Sequence, residues 1–260
     1  MTAARRIRLA GRAIGDDAFP LIITPLVGGT PAAIREELVA ILPKAPDMLE
    51  WRIDFFDGIG DVDLVIDTAR EIRAAASGVP VLLTRRKTAE GGQPLAVDEA
   101  TVIGMYEQAC KARCVELIDY ELSNAPEAIA RLRRVSSEHG IAMVMSYHNF
   151  QKTPGERVLH GKFSLAQTLG ADIAKVAVMP QGPADVLRLL AATQRASETL
   201  TIPLISMSMG GIGSVSRMIS WVYGSAATFA IGKASSAPGQ VAIDELRAVL
   251  AIVRQTVLGR

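Results

Sequence analysis

Cysteine is nearly absent from the sequence: Cys110 and Cys114 are the two in 260 residues. Structural zinc takes about four ligands. No second cysteine or histidine pair accompanies these two, so both are read as buried, inert thiols and no metal is implied. An excess of one charge is missing as well. Lys and Arg number 28 and Asp and Glu 27, and the formal net charge of +1 argues against a nucleic-acid or membrane surface. No apolar run approaches the roughly 20 residues that span a bilayer. The opening MTAARRIRLAGRAIGDD is basic but lacks the long apolar segment of a secretory signal, so a cytoplasmic setting is expected. Repeats, low-complexity tracts and composition shifts are absent too, and a single domain over 1–260 is expected.

Hydrophobic residues make up 49% and charged residues 21%, enough to bury a sizeable core. Eight short apolar runs rich in β-branched residues stand at 21–26, 48–53, 79–83, 115–122, 141–147, 173–179, 202–209 and 227–231. Helical patterns lie between them. PAAIREELVAIL and PADVLRLLAATQRASE both open on Pro, whose missing N–H costs little in a first turn. DEATVIGMYEQACKAR and APEAIARLRRVSSEHG follow, the last stopped by Gly140, then a short helix over 214–223 and a closing amphipathic one in QVAIDELRAVLAIVRQTV. Parallel strands need crossover connections, so this alternation predicts an α/β fold with a parallel sheet. No G-x-G-x-x-G follows the first run, and closure into a (β/α)8 TIM barrel fits better than an open sheet. IRLAGRAIG, with Gly11 between two apolar stretches, reads as a β-hairpin closing one barrel mouth.

Alternate strand residues face the barrel interior, and barrel active sites lie at the C-terminal strand ends. In the second run Glu50, Arg52 and Asp54 share a face opposite Trp51, Ile53 and Phe55. They are read as inward, either as an ion-pair network or as substrate contacts. Leu82, Thr84 and Arg86 align inward in the third run, and its loop RRKTAEGGQ carries Glu90. Thr24 is read as inward with Ile22 in the first run. Val144, Ser146 and His148 align in the fifth, with His148 at the C-terminal end. Lys175 interrupts the apolar run ADIAKVAVMP, where desolvation would lower its pKa. It is either a lysine paired with an inward carboxylate or a neutral amine poised to attack a ketone. SMSMGGIGSVSR reads as a glycine-rich loop of the kind that holds phosphate in this fold, but it ends in Arg217, whose planar fork suits a carboxylate at least as well. KASSAPGQ offers Ser236 and Gln240 to hydroxyl groups on a loop able to fold over the mouth.

The stretches EWRID, TRRKTAEGG, SYHNF with KTP, KVAVMP, SMSMG, SR at Ser216 and Arg217, GSAATF and ASSAPGQ, in this order, resemble type I 3-dehydroquinate dehydratase over almost the whole chain. The resemblance implies Lys175 as the Schiff-base lysine, His148 as the general acid–base and Glu90 as the residue that orients it. It further implies Thr24, Glu50, Arg52, Arg86, Arg217, Ser236 and Gln240 as substrate contacts, with Thr24 standing where some relatives carry serine. The implied reaction converts 3-dehydroquinate to 3-dehydroshikimate and water by syn elimination through an imine, in the shikimate pathway of aromatic amino acid biosynthesis. No cofactor is implied, the partner is the small-molecule substrate, and a homodimer is expected from the family and from the common two-fold symmetry of soluble enzymes. Two other readings stand beside it: a class I aldolase with phosphate at Gly210–Gly213, and a non-catalytic barrel that binds a sugar acid.

Overall fold

The computed structural model describes residues 7–9, 12–14 and 19–259. Among these, eight barrel strands pair in parallel: β1 (Leu21–Leu26), β2 (Met48–Arg52), β3 (Val81–Thr84), β4 (Leu117–Glu121), β5 (Ala142–Asn149), β6 (Ile173–Val178), β7 (Leu204–Ser208) and β8 (Ala227–Ile231), and the short Val241–Ala242 adds a ninth parallel pairing beside Ala230 and Ile231. The ladder runs β8-β1-β2-β3-β4-β5-β6-β7, and a parallel bridge from Leu204 to Ser225 closes it. A helix follows each strand: α1 (Pro31–Ile41), α2 (Val62–Ala76), α3 (Glu99–Ala112), α4 (Pro126–Glu138), α5 (Glu156–Thr168), α6 (Pro183–Thr199), α7 (Gly210–Ile219) and α8 (Ile243–Leu258). The predicted barrel is the observed one. Its helices start where the chain supplies caps: Thr30, Asp61 and Asp98 accept from the N–H groups of Ala33, Leu64 and Thr101. No described helix is long and apolar enough to cross a membrane.

Residues paired across a ladder point to the same side of the sheet. Arg52, Thr84, Asp119, Val144 and Ile173 form one inward row, and Glu121, Ser146, Lys175 and Ile205 form the next. Below the charges, Ile23, Met48, Leu82, Leu117 and Ile173 fill the barrel. The outward faces, with Leu49, Trp51, Leu83 and Ile118, pack against the helices.

Thr24 does not face the interior. It pairs with Leu49, whose side chain lies in the helix-facing core, and a Cβ built on Gly232 would come 2.5 Å from both Thr24 and Ile41. β1 is apolar on both faces, so its alternation carries no sign of which side is in.

The N-terminal hairpin is present, with Ile7–Leu9 antiparallel to Arg12–Ile14. Ile14 is buried with Ile23 and Met48, which places the hairpin under the N-terminal strand ends. The expected turn residue Gly11 lies outside the described residues.

The helix after β7 starts at Gly210 rather than 214, so the segment taken for a glycine-rich loop is its first turn. A Cβ at Gly213 would lie 2.6 Å from the Ser208 carbonyl carbon, and glycine alone admits that approach. In most helices Gly→Ala stabilises by about 1 kcal/mol. Gly213→Ala is expected to do the opposite and destabilise by roughly 1–3 kcal/mol. Gly211→Ala, with open space around its Cβ, is expected to be neutral or stabilising. Denaturant melts of the two variants check the contrast, and equal effects would contradict the packing argument.

Candidate active site

The inward charges gather into a cluster in the upper half of the barrel. Lys175 Nζ lies 3.2 Å from Glu50 Oε1 and 3.1 Å from Asp119 Oδ2, with the Phe229 ring centroid 4.5 Å away. Arg86 spans Asp119 at 2.7 Å and Glu121 at 3.0 Å, and it also donates to Ser146 Oγ. Ser146 donates in turn to Asp119. Burial alone would raise the Asp119 pKa, but Arg86, Lys175 and these hydrogen bonds hold it down at about 2. Burial opposes the Arg86 charge as well, and Asp119 and Glu121 outweigh it. Lys175 is 4% exposed and sits in an ion cluster, paired with inward carboxylates as one of the two sequence readings has it. Glu50 also accepts from Thr84 Oγ1, which fixes its carboxylate toward the amine.

His148 stands near the end of β5, one ladder step from Lys175: His148 pairs with Ala177 and Ser146 with Lys175. Glu90 reaches it from the loop after β3, where Thr88–Glu90 form a single 3-10 turn. Glu90 Oε2 accepts from the His148 backbone N–H at 2.8 Å and faces His148 Nδ1 at 3.0 Å. Burial pushes the His148 pKa well down, and the positive charges of Arg86, Lys175 and Arg52 add to it. The imidazole is neutral at neutral pH. With Glu90 ionised, the proton sits on Nδ1 and the Nε2 lone pair is left for chemistry.

The cavity mouth is built differently. Arg52 makes a bidentate pair with Asp54 at 2.8 and 2.7 Å and donates to the Ser236 carbonyl at 3.2 Å. Asp54 also accepts from Gln93 N–H, so it joins β2, the loop after β3 and, through Arg52, the loop after β8. Ser236 and Gln240 bond each other, N–H to Oε1 at 3.0 Å and Nε2 to Oγ at 3.2 Å. Arg217 is 1% exposed, yet its partners are a methionine sulfur and the Pro238 carbonyl, and its Nε has no partner. Burial drags its pKa down to about 10.

These groups line one cavity, partly open to solvent. It brings together Glu50, Arg52, Arg86, Glu90, His148, Lys175, Arg217, Ser236 and Gln240, and it leaves out Thr24. Apolar walls not singled out in the sequence come from Phe150, Met207, Met209 and Phe229. Asp119 and Glu121, also unmarked there, lie beneath. Phe150 is seated against Gly91, where a Cβ would meet its ring at 2.2 Å. Cys110 and Cys114 lie elsewhere as buried thiols, pushed up by burial to about 12 and about 11. Among the described residues no group of three or more His, Cys, Asp or Glu is placed to hold a metal ion.

The sequence model of the type I 3-dehydroquinase family matches residues 22–257. The chain is 51% identical to 3-dehydroquinate dehydratase of Albidiferax ferrireducens, covering 98% of this chain and 97% of that one. It is 44% identical to that of Aromatoleum aromaticum over the full length of both. The crystal structure of 3-dehydroquinate dehydratase from Geobacillus kaustophilus superposes with a TM-score of 0.95 at 43% identity, over 98% of this chain and 99% of that one.

The unpaired Arg217 gives a stability test. A fall from 12.5 to about 10 is a charging cost on the order of 3 kcal/mol. Arg217→Met keeps the stem and removes that cost. It is expected to leave unliganded stability unchanged or raise it by up to about 3 kcal/mol, while a carboxylate ligand loses its effect on Tm. Thermal melts with and without ligand check this. Strong destabilisation of the free protein would show the guanidinium to be structural.

Proposed function

The chain belongs to the type I 3-dehydroquinase family, and on that footing we propose that Lys175 activates 3-dehydroquinate as an imine while His148 moves the protons. The enzyme is a hydro-lyase, as the whole family is. The observation that carries the mechanism is the content of a single cavity: a buried primary amine, a neutral imidazole backed by a carboxylate, and a guanidinium with no acidic partner. A hydroxylated keto acid needs these three.

Arg217, with Nε unpartnered and no carboxylate beside it, takes the substrate carboxylate. Glu50, Arg52, Arg86, Ser236 and Gln240 offer both donors and acceptors to its hydroxyls. The Lys175 ammonium passes a proton to Glu50, since Asp119 is committed to Arg86 and Ser146. The freed amine then adds to the C3 ketone, and the carbinolamine hydroxyl takes the proton back from Glu50 and leaves as water, giving an iminium. That cation draws electrons from the C2–H bond, and His148 Nε2 removes the proton to give an enamine. The enamine expels the C1 hydroxyl, which takes the same proton from the imidazolium and leaves as water. One imidazole serving both transfers requires hydrogen and hydroxyl to depart from the same face. Hydrolysis of the conjugated iminium returns Lys175 and releases 3-dehydroshikimate. We place this step in the shikimate pathway. No step calls on a cofactor, because the lysine supplies the electron sink.

Borohydride added with 3-dehydroquinate is expected to link the ligand irreversibly to Lys175, as intact-protein mass spectrometry and peptide mapping would read. Lys175→Ala is expected to form no adduct and to lose turnover. His148→Ala is expected to lose about 10²–10⁴-fold in kcat while still trapping ligand on the lysine. Full activity in Lys175→Ala, or normal wild-type turnover without an adduct, would overturn the imine mechanism.

A further inference from the structure

Glu90 has two oxygens, and its bonds to His148 use one of them. Oε2 serves the backbone N–H and Nδ1 of His148. Oε1 accepts from Ser123 Oγ at 2.6 Å. Ser123 lies between β4 and α4, is exposed, and is not among the residues lining the cavity. The loop that carries it is anchored. Leu122 N–H donates to Ser146 O at 2.8 Å, and Asn124 Nδ2 donates to Glu121 O at 3.0 Å and Oε2 at 3.1 Å. Glu121 is itself tied to Arg86 and to the Lys87 N–H, one turn before Glu90. Ser123 is thereby fixed relative to the turn that presents Glu90.

We propose that Ser123 is a positioning residue for the reaction: its hydroxyl holds the Glu90 carboxylate ionised and turned so that Oε2 keeps the His148 proton on Nδ1. Burial raises the Glu90 pKa, and the Ser123 hydrogen bond is the foremost influence against it, ahead of Arg86 and the His148 N–H. A protonated Glu90 would donate to Nδ1 instead of accepting from it. The imidazole proton would then sit on Nε2, and the lone pair that abstracts the substrate proton would be gone. Ser123 thus acts two residues away from the chemistry, through a carboxylate and then a tautomer. The inference rests on His148 as the base.

Removing a donor to the charged form raises the Glu90 pKa further, so the acid limb of kcat/KM moves to higher pH. Ser123→Ala is expected to shift that limb upward by about one unit, the scale of one hydrogen bond to a charged group. Below the limb this is about a tenfold loss, and wild-type activity returns as pH rises, with KM little changed. The ¹⁵N signals of His148 are expected to show the Nε2–H tautomer appearing at a higher pH than in wild type. Ser123→Thr, which keeps the hydroxyl and turns its methyl to solvent, is expected to restore both. An unshifted limb, or a loss of equal size at every pH, would overturn the assignment to Ser123 while leaving the role of His148 intact. Full activity in His148→Ala would instead remove the base on which the inference stands, and the inference with it.

Discussion

The upper barrel is organised by one constraint: Lys175, Arg86, Glu50, Asp119 and Glu121 are all buried, and none can be left without an opposite charge. An isolated charge in such a place costs several kcal/mol or more, and the cost is recovered only with close geometry on every side. The barrel meets this with register. Asp119 on β4 faces Arg86 beyond β3 and Lys175 on β6, and it reaches both because β5 between them carries the small Ser146. A larger residue there would separate the carboxylate from the lysine. The apolar layer beneath, from Ile23 to Ile173, excludes water from below and fixes the strand spacing on which these distances depend.

Set against this paired interior, Arg217 is an exception with a direction. It is as buried as the others but lacks a carboxylate, and one of its donors is unused. In the proposed reaction the missing charge arrives with the substrate. Binding energy is therefore gained where the free protein bears a cost, and the amine end of the cavity is already neutralised. The loop after β8 is held to both sides by its own carbonyls, Pro238 to Arg217 and Ser236 to Arg52. Both contacts leave the Ser236 and Gln240 side chains free of the two arginines.

Much of this is legible from alternation alone. EWRID, SYHN and AKVAV mix polar and apolar residues at period two, and that contrast suffices to turn Glu50, Arg52, His148 and Lys175 inward. LIITPL offers no such contrast, and Thr24 ends on the helix side because the register with Leu49 decides what composition leaves open. Asp119 and Glu121 obey the same alternation in LIDYE and are recoverable from it, yet they belong to none of the stretches that carry the family resemblance. The start of α7 is hidden for another reason: glycines spell a loop locally, and the close packing of Gly213 on Ser208 has no mark in the sequence. Ser123 carries no signal in the sequence. An exposed serine after a strand is commonplace, and a contact across 33 residues singles it out.

The same burial that neutralises His148 makes it a weak base, which at first works against abstraction of a carbon-bound proton. Burial and three nearby cations all push its pKa down. The proposed chemistry turns this to use in two ways. An iminium acidifies the adjacent C–H bond, so a strong base is not required. The imidazolium formed is then a strong acid, held within a positively charged neighbourhood that favours giving the proton away, and its acceptor is a poor leaving group that needs one. A histidine with an ordinary or raised pKa would retain the proton and slow the expulsion of water. Glu90 is needed to hold the ring in one tautomer, but strong electrostatic support from it would undo this balance. A carboxylate whose charge is shared with Ser123 and a backbone N–H orients the imidazole without making it too basic.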